Sequence, residues 1–217
     1  MKNSRALRLF VAGSAAAFAF AIAAPASAGE HNLYGTIGLG NESVETSFSD
    51  LSPTGPVVSV AVGDTFYNNG DLSVSVELGA TAGKVEASKK EVSCDPFFCG
   101  YTEWVTRTDS TDWSASAVVR VSDDVGPFVV SLSGGVAVSS FKQSFEYTND
   151  GGFPPFSWNS ERRAIGPTWG ALVSYPLTSS SAVTLSFTRT DLTAESWGGN
   201  SQEITTERWS VSYGRVF

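Results

Sequence analysis

Few side chains of this 217-residue sequence could act as a catalytic base or bind a soft metal ion. The chain has one histidine, His31, and two cysteines, Cys94 and Cys99. A serine nucleophile needs a partner base, and His31 precedes the first strand-like run, where a histidine is usually solvated. No segment has the spacing of a calcium-binding loop. We therefore expect no catalytic residue, no cofactor and no metal site.

Carboxylates are plentiful, and two of them close together could serve as the acid and base of a hydrolase. A solvated acidic surface is the simpler interpretation, so we expect that the protein is not an enzyme. The carboxylates in the predicted loops are Glu91, Asp95, Glu103, Asp109, Glu146, Asp150, Asp191, Glu195 and Glu203.

The two cysteines have only four residues between them, in the segment Cys-Asp-Pro-Phe-Phe-Cys at 94–99. In an oxidising compartment such a pair can form a local disulfide. A metal site is the alternative, but it would need further thiolate or imidazole ligands, and His31 lies more than sixty residues away. We predict a disulfide between Cys94 and Cys99.

The first 28 residues have the features of a secretory signal peptide. Lys2, Arg5 and Arg8 form a basic start, an apolar stretch of 16 residues follows at 9–24, and Pro-Ala-Ser-Ala at 25–28 offers a cleavage site. We predict a signal peptide at 1–28 and one mature domain at 29–217. Without the three leader bases, the mature chain has 11 basic and 22 acidic residues, a net charge of −11. This charge argues against nucleic acid as a partner.

Beyond the leader, apolar residues alternate with serine, threonine and glycine, and no helical period is sustained. The alternation forms eight runs at 33–46, 57–66, 72–81, 113–121, 128–139, 169–175, 183–188 and 209–217. The clearest is 72–81, where leucine and valine occupy one face and serine and glutamate the other.

The connections between these runs alternate in length. Short turns rich in Asn-Gly, Gly-Pro or serine lie at 67–71, 122–127 and 177–181, and longer connections at 49–55, 87–110, 144–163 and 191–203. Three tight turns on one side and four loops on the other predict an all-β fold, a closed antiparallel up-and-down transmembrane β-barrel of eight strands.

Aromatic residues fall near both ends of the runs, as in the aromatic girdles of membrane barrels. The tight-turn girdle would contain Phe128, Tyr175 and Phe217, and the loop-side girdle Trp113, Trp169, Phe187 and Trp209. The alternative is that these rings form the core of a soluble β-protein.

Four charged residues fall in the inward phase among small polar residues: Glu42, Glu77, Arg120 and Arg208. An eight-stranded barrel has an interior just wide enough for side chains to fill it, and an unpaired buried charge is costly. We therefore predict an ion-pair network that plugs the lumen. The alternative places Glu42 and Arg208 near the rim, in water.

The last run ends the chain on an aromatic residue preceded by alternate hydrophobic residues: Trp209, Val211, Tyr213 and Phe217. This segment is similar to the C-terminal signal that the outer-membrane assembly machinery recognises, although Arg215 departs from the usual pattern. With the leader and the eight runs, the chain resembles the small OmpA/OmpX-type and opacity-like outer-membrane barrels over residues 33–217.

The resemblance implies an integral protein in the outer membrane of a diderm (Gram-negative) bacterium, surrounded by lipid and lipopolysaccharide. It implies insertion by the outer-membrane assembly machinery, a monomeric barrel, and a structural, surface-interaction or shielding role. A narrow porin-like channel is the alternative, and a membrane-embedded lipid-modifying enzyme is a more distant one.

The second and third long connections are rich in aromatic residues, among them Phe97, Phe98, Tyr101, Trp104, Phe145, Tyr147, Phe153, Phe156 and Trp158. Two interpretations remain open: these residues contact lipid or partner surfaces, or they pack on one another over the barrel mouth.

Overall fold

Eight antiparallel strands form a closed barrel. The computed structural model describes residues 32–47, 50–94, 102–149, 154–195 and 201–217. The strands are β1 (Asn32–Thr46), β2 (Thr54–Asn68), β3 (Leu72–Cys94), β4 (Thr102–Val125), β5 (Phe128–Asn149), β6 (Phe156–Thr178), β7 (Ser181–Glu195) and β8 (Ser201–Val216). Each strand pairs with the next, and β8 pairs with β1 to close the ring. The predicted eight-stranded barrel is confirmed.

Several predicted features lie outside the described residues. These are the signal peptide at 1–28, His31, Cys99 and the aromatic residues Phe97, Phe98, Tyr101 and Phe153. Cys94 is the last residue of β3. Because Cys99 lies outside the described residues, the disulfide between the two stays a prediction.

The outer surface of the barrel is apolar, and small polar side chains point inward. Leu39, Leu78 and Leu132 are outward-facing and more than half exposed, whereas Ser75 and Ser131, in the opposite phase, are buried. Because successive side chains of a strand point to opposite faces, the period of two produces this inverted arrangement directly.

The three tight turns lie where the sequence predicts them. Two are built around glycines with positive φ, Gly70 (103°) and Gly126 (62°), a conformation that other residues rarely adopt. The Asn68 side chain also accepts a hydrogen bond of 2.8 Å from the Gly70 amide. The third connects Thr178 to Ser181, whose hydroxyls are 2.7 Å apart.

The strands differ in length, and two predicted loops are mostly strand. β3, β4, β5 and β6 contain 22 to 24 residues each, whereas β1, β2, β7 and β8 contain 15 or 16. The connections expected at 87–110 and 144–163 are therefore largely the outer halves of two long hairpins. The sequence hides this extension because charged and aromatic residues occupy both faces there, so the simple alternation stops.

The long strands form a wall on one side of the barrel mouth. At about 3.3 Å per residue and a tilt of about 40°, 15 residues span roughly 38 Å along the axis and 23 residues roughly 58 Å. The β3–β6 wall, residues 87–94, 102–110, 142–149 and 156–163, thus projects about 20 Å further than the opposite strands.

Register shifts interrupt several ladders, and one of them changes which face the side chains of a strand occupy. The β2–β3 register shifts between Thr65 and Tyr67, near the tight turns, whereas the β3–β4 register shifts between Ala82 and Val85 and the β4–β5 register between Thr111 and Trp113. On β4 the buried positions change from the even phase of Ser122 to the odd phase of Thr111 and Asp109. A β-bulge of this kind reverses the phase of the residues that follow it.

Aromatic rings cluster at both ends of the apolar band, as predicted for the girdles. Phe128 and Tyr175 have ring centroids 5.8 Å apart on the tight-turn side. On the loop side, Phe187 lies 5.6 Å from Trp169 and 4.9 Å from Trp209. Trp169 and Trp209 are about half exposed on the outer surface, so these rings are not the core of a soluble protein.

Candidate functional site

The barrel interior contains a small polar chamber. Its cavity of about 90 Å³ has room for several water molecules. Most of the lining residues are serine or threonine from all around the barrel, such as Ser59, Ser116, Ser133, Thr188 and Ser212. The four charged residues predicted to face the lumen, Glu42, Glu77, Arg120 and Arg208, all line this chamber.

One ion pair joins β3 and β4 in the half of the chamber nearer the tight turns. Arg120 Nη2 lies 2.5 Å from Glu77 Oε2, and both side chains are mostly buried. Tyr34 on β1 completes the group, since its hydroxyl donates to Glu77 Oε2 at 3.2 Å and the Arg120 guanidinium lies 5.7 Å from its ring centroid. Tyr34 was not among the residues predicted to face the lumen, although it is the one aromatic residue in the inward phase of the first run.

A glycine makes room for the tyrosine. Gly63 pairs with Tyr34 in the β1–β2 ladder, and a Cβ atom at this position would overlap the Tyr34 ring. The small residue therefore allows the ring to lie flat against the barrel wall while its hydroxyl reaches across to β3.

The second ion pair lies higher in the chamber, where the first and last strands meet. Glu42 and Arg208 are partners in the β1–β8 ladder, and Arg208 Nη1 is 3.8 Å from Glu42 Oε2. Arg208 also donates a hydrogen bond to the Thr81 hydroxyl on β3. Glu42 is only 4% exposed, so the pair lies inside the barrel and not at a solvated rim.

Both arginines have donor capacity left over for solvent. None of the described residues accepts a hydrogen bond from the Nε of Arg120 or Arg208, although both atoms are buried. A buried donor without a protein partner is usually satisfied by water, and the chamber beside it is polar and large enough. Water in the chamber can accept these hydrogen bonds.

An apolar layer, which was not predicted from the sequence, crosses the barrel above the chamber. It consists of Val44, Val57, Val85, Phe141, Ala164, Leu192, Ala194 and Ile204, each no more than 4% exposed. These residues come from every strand except β4, where Thr111, also buried, pairs with Phe141.

The members of this layer share one height. Val44 comes twelve residues after Asn32, where β1 begins, and Ile204 thirteen before Phe217. Phe141 comes thirteen residues after Phe128, at the start of β5. The signal in the sequence was the change of the inward positions from small polar residues to Phe141, Leu192 and Ile204, but these residues lie beyond the assumed ends of the runs.

A third layer, again polar, lies above the apolar one. Asp109 is completely buried, accepts a hydrogen bond of 3.1 Å from Gln143, and lies 3.7 Å from Arg107 Nε. This residue was expected to belong to a solvated acidic surface, which is wrong because β4 extends past the bulge and turns Asp109 inward.

Aromatic residues of the third connection line the inner face of the β3–β6 wall. Phe145 and Trp158 are ladder partners with ring centroids 6.1 Å apart, and Arg107 lies 5.5 Å from the Phe145 centroid. Phe156 and Trp158 are still 63% and 41% exposed. The rings thus pack on one another in part and leave apolar surface exposed.

The connection between β1 and β2 is tied to the wall and to the apolar layer. Lys89 on β3 donates a hydrogen bond to Asp50, and this contact raises the pKa of Lys89 and lowers the pKa of Asp50. At the foot of the connection, the Val44 amide donates to the Pro53 carbonyl at 2.8 Å. Leu51 and Pro53 are buried, so this connection adds apolar cover beside the layer.

Within the described ranges, no three His, Cys, Asp or Glu side chains are arranged to hold a metal ion. No helix in the described part of the chain is long and apolar enough to span a membrane.

The residues predicted as the assembly signal occupy one face of β8. Trp209, Val211 and Tyr213 are 58%, 54% and 46% exposed and face outward. Phe217 ends the chain beside β1, where its amide donates to the Leu33 carbonyl at 2.9 Å. Arg215 faces outward at the very end of the barrel, where a long side chain can reach water.

Comparison with known families decides what this barrel is. The model of the outer membrane protein beta-barrel domain matches residues 12–217. The chain belongs to this family. Its place is the outer membrane, and the apolar band between the two girdles faces the membrane lipid.

The solved structures that are similar to this chain have very different sequences. The attachment invasion locus protein Ail of Yersinia pestis, in complex with a heparin analogue, is 15% identical, with 87% of this chain and 100% of that chain covered and a TM-score of 0.46. Neisserial surface protein A is 13% identical (85% and 97% covered, TM-score 0.48). A major outer membrane protein of Thermus thermophilus is 15% identical (86% and 99% covered, TM-score 0.49). No curated protein matches the chain.

Proposed function

We propose that this outer-membrane barrel is closed to solutes and serves as a membrane anchor for the β3–β6 wall, which interacts with surfaces outside the cell. It acts as a monomer, inserted by the outer-membrane assembly machinery, and not as an enzyme. The observation that carries the proposal is the apolar layer that fills the lumen above the two ion pairs, Glu77 with Arg120 and Glu42 with Arg208.

The geometry supports closure because each charge in the lumen has a partner that spans part of its width. Arg208 contacts both β1 and β3 through Glu42 and Thr81, and Arg120 is linked to β1 through Glu77 and Tyr34. Side chains that are tied at both ends cannot move aside for a solute without breaking several contacts at once.

The length of the wall supports the interaction role. The β3–β6 wall adds about 20 Å of sheet beyond the short strands, far more than closing a barrel requires, and it presents Phe156 and Trp158 partly exposed. Exposed aromatic surface on a rigid scaffold is typical of interaction sites.

Single-channel recording of the purified, folded protein in planar bilayers tests the closed barrel. We expect no discrete conductance steps. Steps from a preparation that shows the mobility shift of a folded barrel on unboiled gels would support the narrow channel instead and overturn the proposal. Deleting 88–108 and 144–160, which shortens both hairpins, should leave the barrel folded but abolish adherence to surfaces. Unchanged adherence would contradict the interaction role.

A further inference from the structure

We propose that the apolar layer, and not the ion-pair network beneath it, is the barrier that stops water and ions in this barrel. This inference rests on the proposed closed state and assigns that state to a particular set of residues. The apolar layer is the group Val44, Val57, Val85, Phe141, Ala164, Leu192, Ala194 and Ile204 defined above.

The layer separates two polar regions of the lumen. Phe141 lies two residues along the inward phase from Ser139, which lines the chamber, and two residues on the other side from Gln143, which binds Asp109. Ile204 likewise lies next in phase to Thr206 of the chamber, and Leu192 to Thr190. Any ion that crosses the barrel therefore has to pass from one polar region to the other through this layer.

The layer is packed and takes apolar side chains from seven of the eight strands, with the buried Thr111 in its place on β4. Val44 and Ala164 are 0% exposed, Val85 and Ala194 1%, Ile204 2%, and Phe141 and Leu192 3%. Apolar cavities tend to stay dry, and hydrophobic constrictions in channels close by excluding water. An ion would have to lose its hydration with only the Thr111 hydroxyl at this height to replace it, which is costly.

The ion pairs make a weaker barrier by themselves. They border the chamber, and the Nε atoms of Arg120 and Arg208 are left for water. Rings of charged side chains also line conducting pores, where they select ions rather than exclude all of them. Charged side chains that line a polar chamber can exchange partners with a passing ion. The apolar layer has no charged side chain, and the Thr111 hydroxyl is the buried polar group at its height.

The experiment measures the conductance of variants of the apolar layer and of the lower ion pair in planar bilayers. Phe141→Ala and Ile204→Ala shorten side chains in the apolar layer, and we expect discrete conductance steps from the double variant. Phe141→Leu keeps an apolar side chain and should remain silent. The pair Glu77→Gln and Arg120→Gln removes both charges of the lower ion pair and should also remain silent.

The matched control shortens an isoleucine side chain on the outer face of the barrel. Ile165 is outward-facing and 64% exposed, next in sequence to Ala164 of the layer. Ile165→Ala should produce no conductance. The gel-mobility shift verifies that each variant is folded, and if the double variant does not fold, Ile204→Ala alone serves in its place.

The outcomes separate this inference from the proposed function. Conductance by the wild-type protein overturns the closed barrel itself. A silent wild type with conducting ion-pair variants, or with silent variants of the apolar layer, overturns the assignment of the barrier but leaves the closed barrel standing. Conductance confined to variants of the apolar layer supports both.

Discussion

Glu42 and Arg208 face each other across the β1–β8 ladder, where the two ends of the chain meet to close the barrel, with 3.8 Å between Oε2 and Nη1. Since Arg208 also binds Thr81 on β3, one side chain links three strands at the closing seam. The pair therefore stabilises the closure as well as filling the lumen.

Removing the acidic partner at this seam should destabilise the barrel. Glu42→Gln leaves Arg208 without its counter-charge in a mostly buried place, and we expect a loss of about 3 kcal/mol in the free energy of unfolding. Urea unfolding in lipid vesicles measures this loss. Glu45→Gln, three residues along β1 and exposed, is the control and should change stability by less than about 0.5 kcal/mol.

The double variant Glu42→Gln/Arg208→Gln tests the cause. Because it removes the uncompensated cation as well, it should regain part of the stability lost in the single variant. A double variant that is less stable by the full sum of both single losses would show that packing, and not charge, makes this contact important.

Variants of the lower ion pair should lose stability in proportion to how many of its contacts they remove. Glu77→Gln removes the charge that faces Arg120 and weakens the acceptor of the Tyr34 hydroxyl, so we expect a loss of about 3 kcal/mol. Tyr34→Phe removes only the hydroxyl and should cost about 1 kcal/mol. The temperature at which the folded form disappears from unboiled gels ranks the variants, and an unchanged temperature for Glu77→Gln would count against a structural role of this pair.

The glycine beside Tyr34 offers an independent test of the same group. Gly63→Ala places a methyl group where the ring lies, so the ring has to move away from Glu77. We expect Gly63→Ala to lower stability more in the wild-type protein than in the Tyr34→Phe/Glu77→Gln variant, where the hydroxyl contact is already lost. Equal losses in both backgrounds would mean that only backbone packing is affected.

The barrel, its tight turns and its polar lumen were predictable because they depend on local alternation and turn chemistry. The four charged residues could be placed by phase alone, since Glu42, Glu77, Arg120 and Arg208 lie within regular runs. The apolar layer could not, because Val85 and Phe141 lie beyond the last clear alternation of their runs, and a bulge in β4 moves Thr111 into the inward phase at the same height. Which charges pair also depends on the shear of the ladder, which a single sequence does not contain.

The aromatic girdle on the loop side should contribute through contacts between rings. Phe187 lies between Trp169 and Trp209, so Phe187→Leu keeps an apolar side chain but removes two ring contacts, a loss of about 2 kcal/mol. Phe128→Leu removes one contact, with Tyr175, and should cost about 1 kcal/mol. Urea unfolding in vesicles compares them, and equal losses would show that the ring pairs contribute nothing beyond apolar surface.

The contact between Asp50 and Lys89 should make the β1–β2 connection depend on pH. Because the hydrogen bond lowers the pKa of Asp50, its contribution is present above the ordinary value of 3.8 and is lost as the pH falls below it. Because the same bond raises the pKa of Lys89, the contribution is present below 10.5 and is lost as the pH rises further.

Asp50→Asn should therefore make cleavage of the connection by an added protease faster at neutral pH, whereas Asp71→Asn, in a turn at the opposite end, should not. High salt should reduce the difference between wild type and Asp50→Asn, since both side chains are exposed, and equal cleavage of the two proteins at low salt would show that the contact does not hold the connection in place.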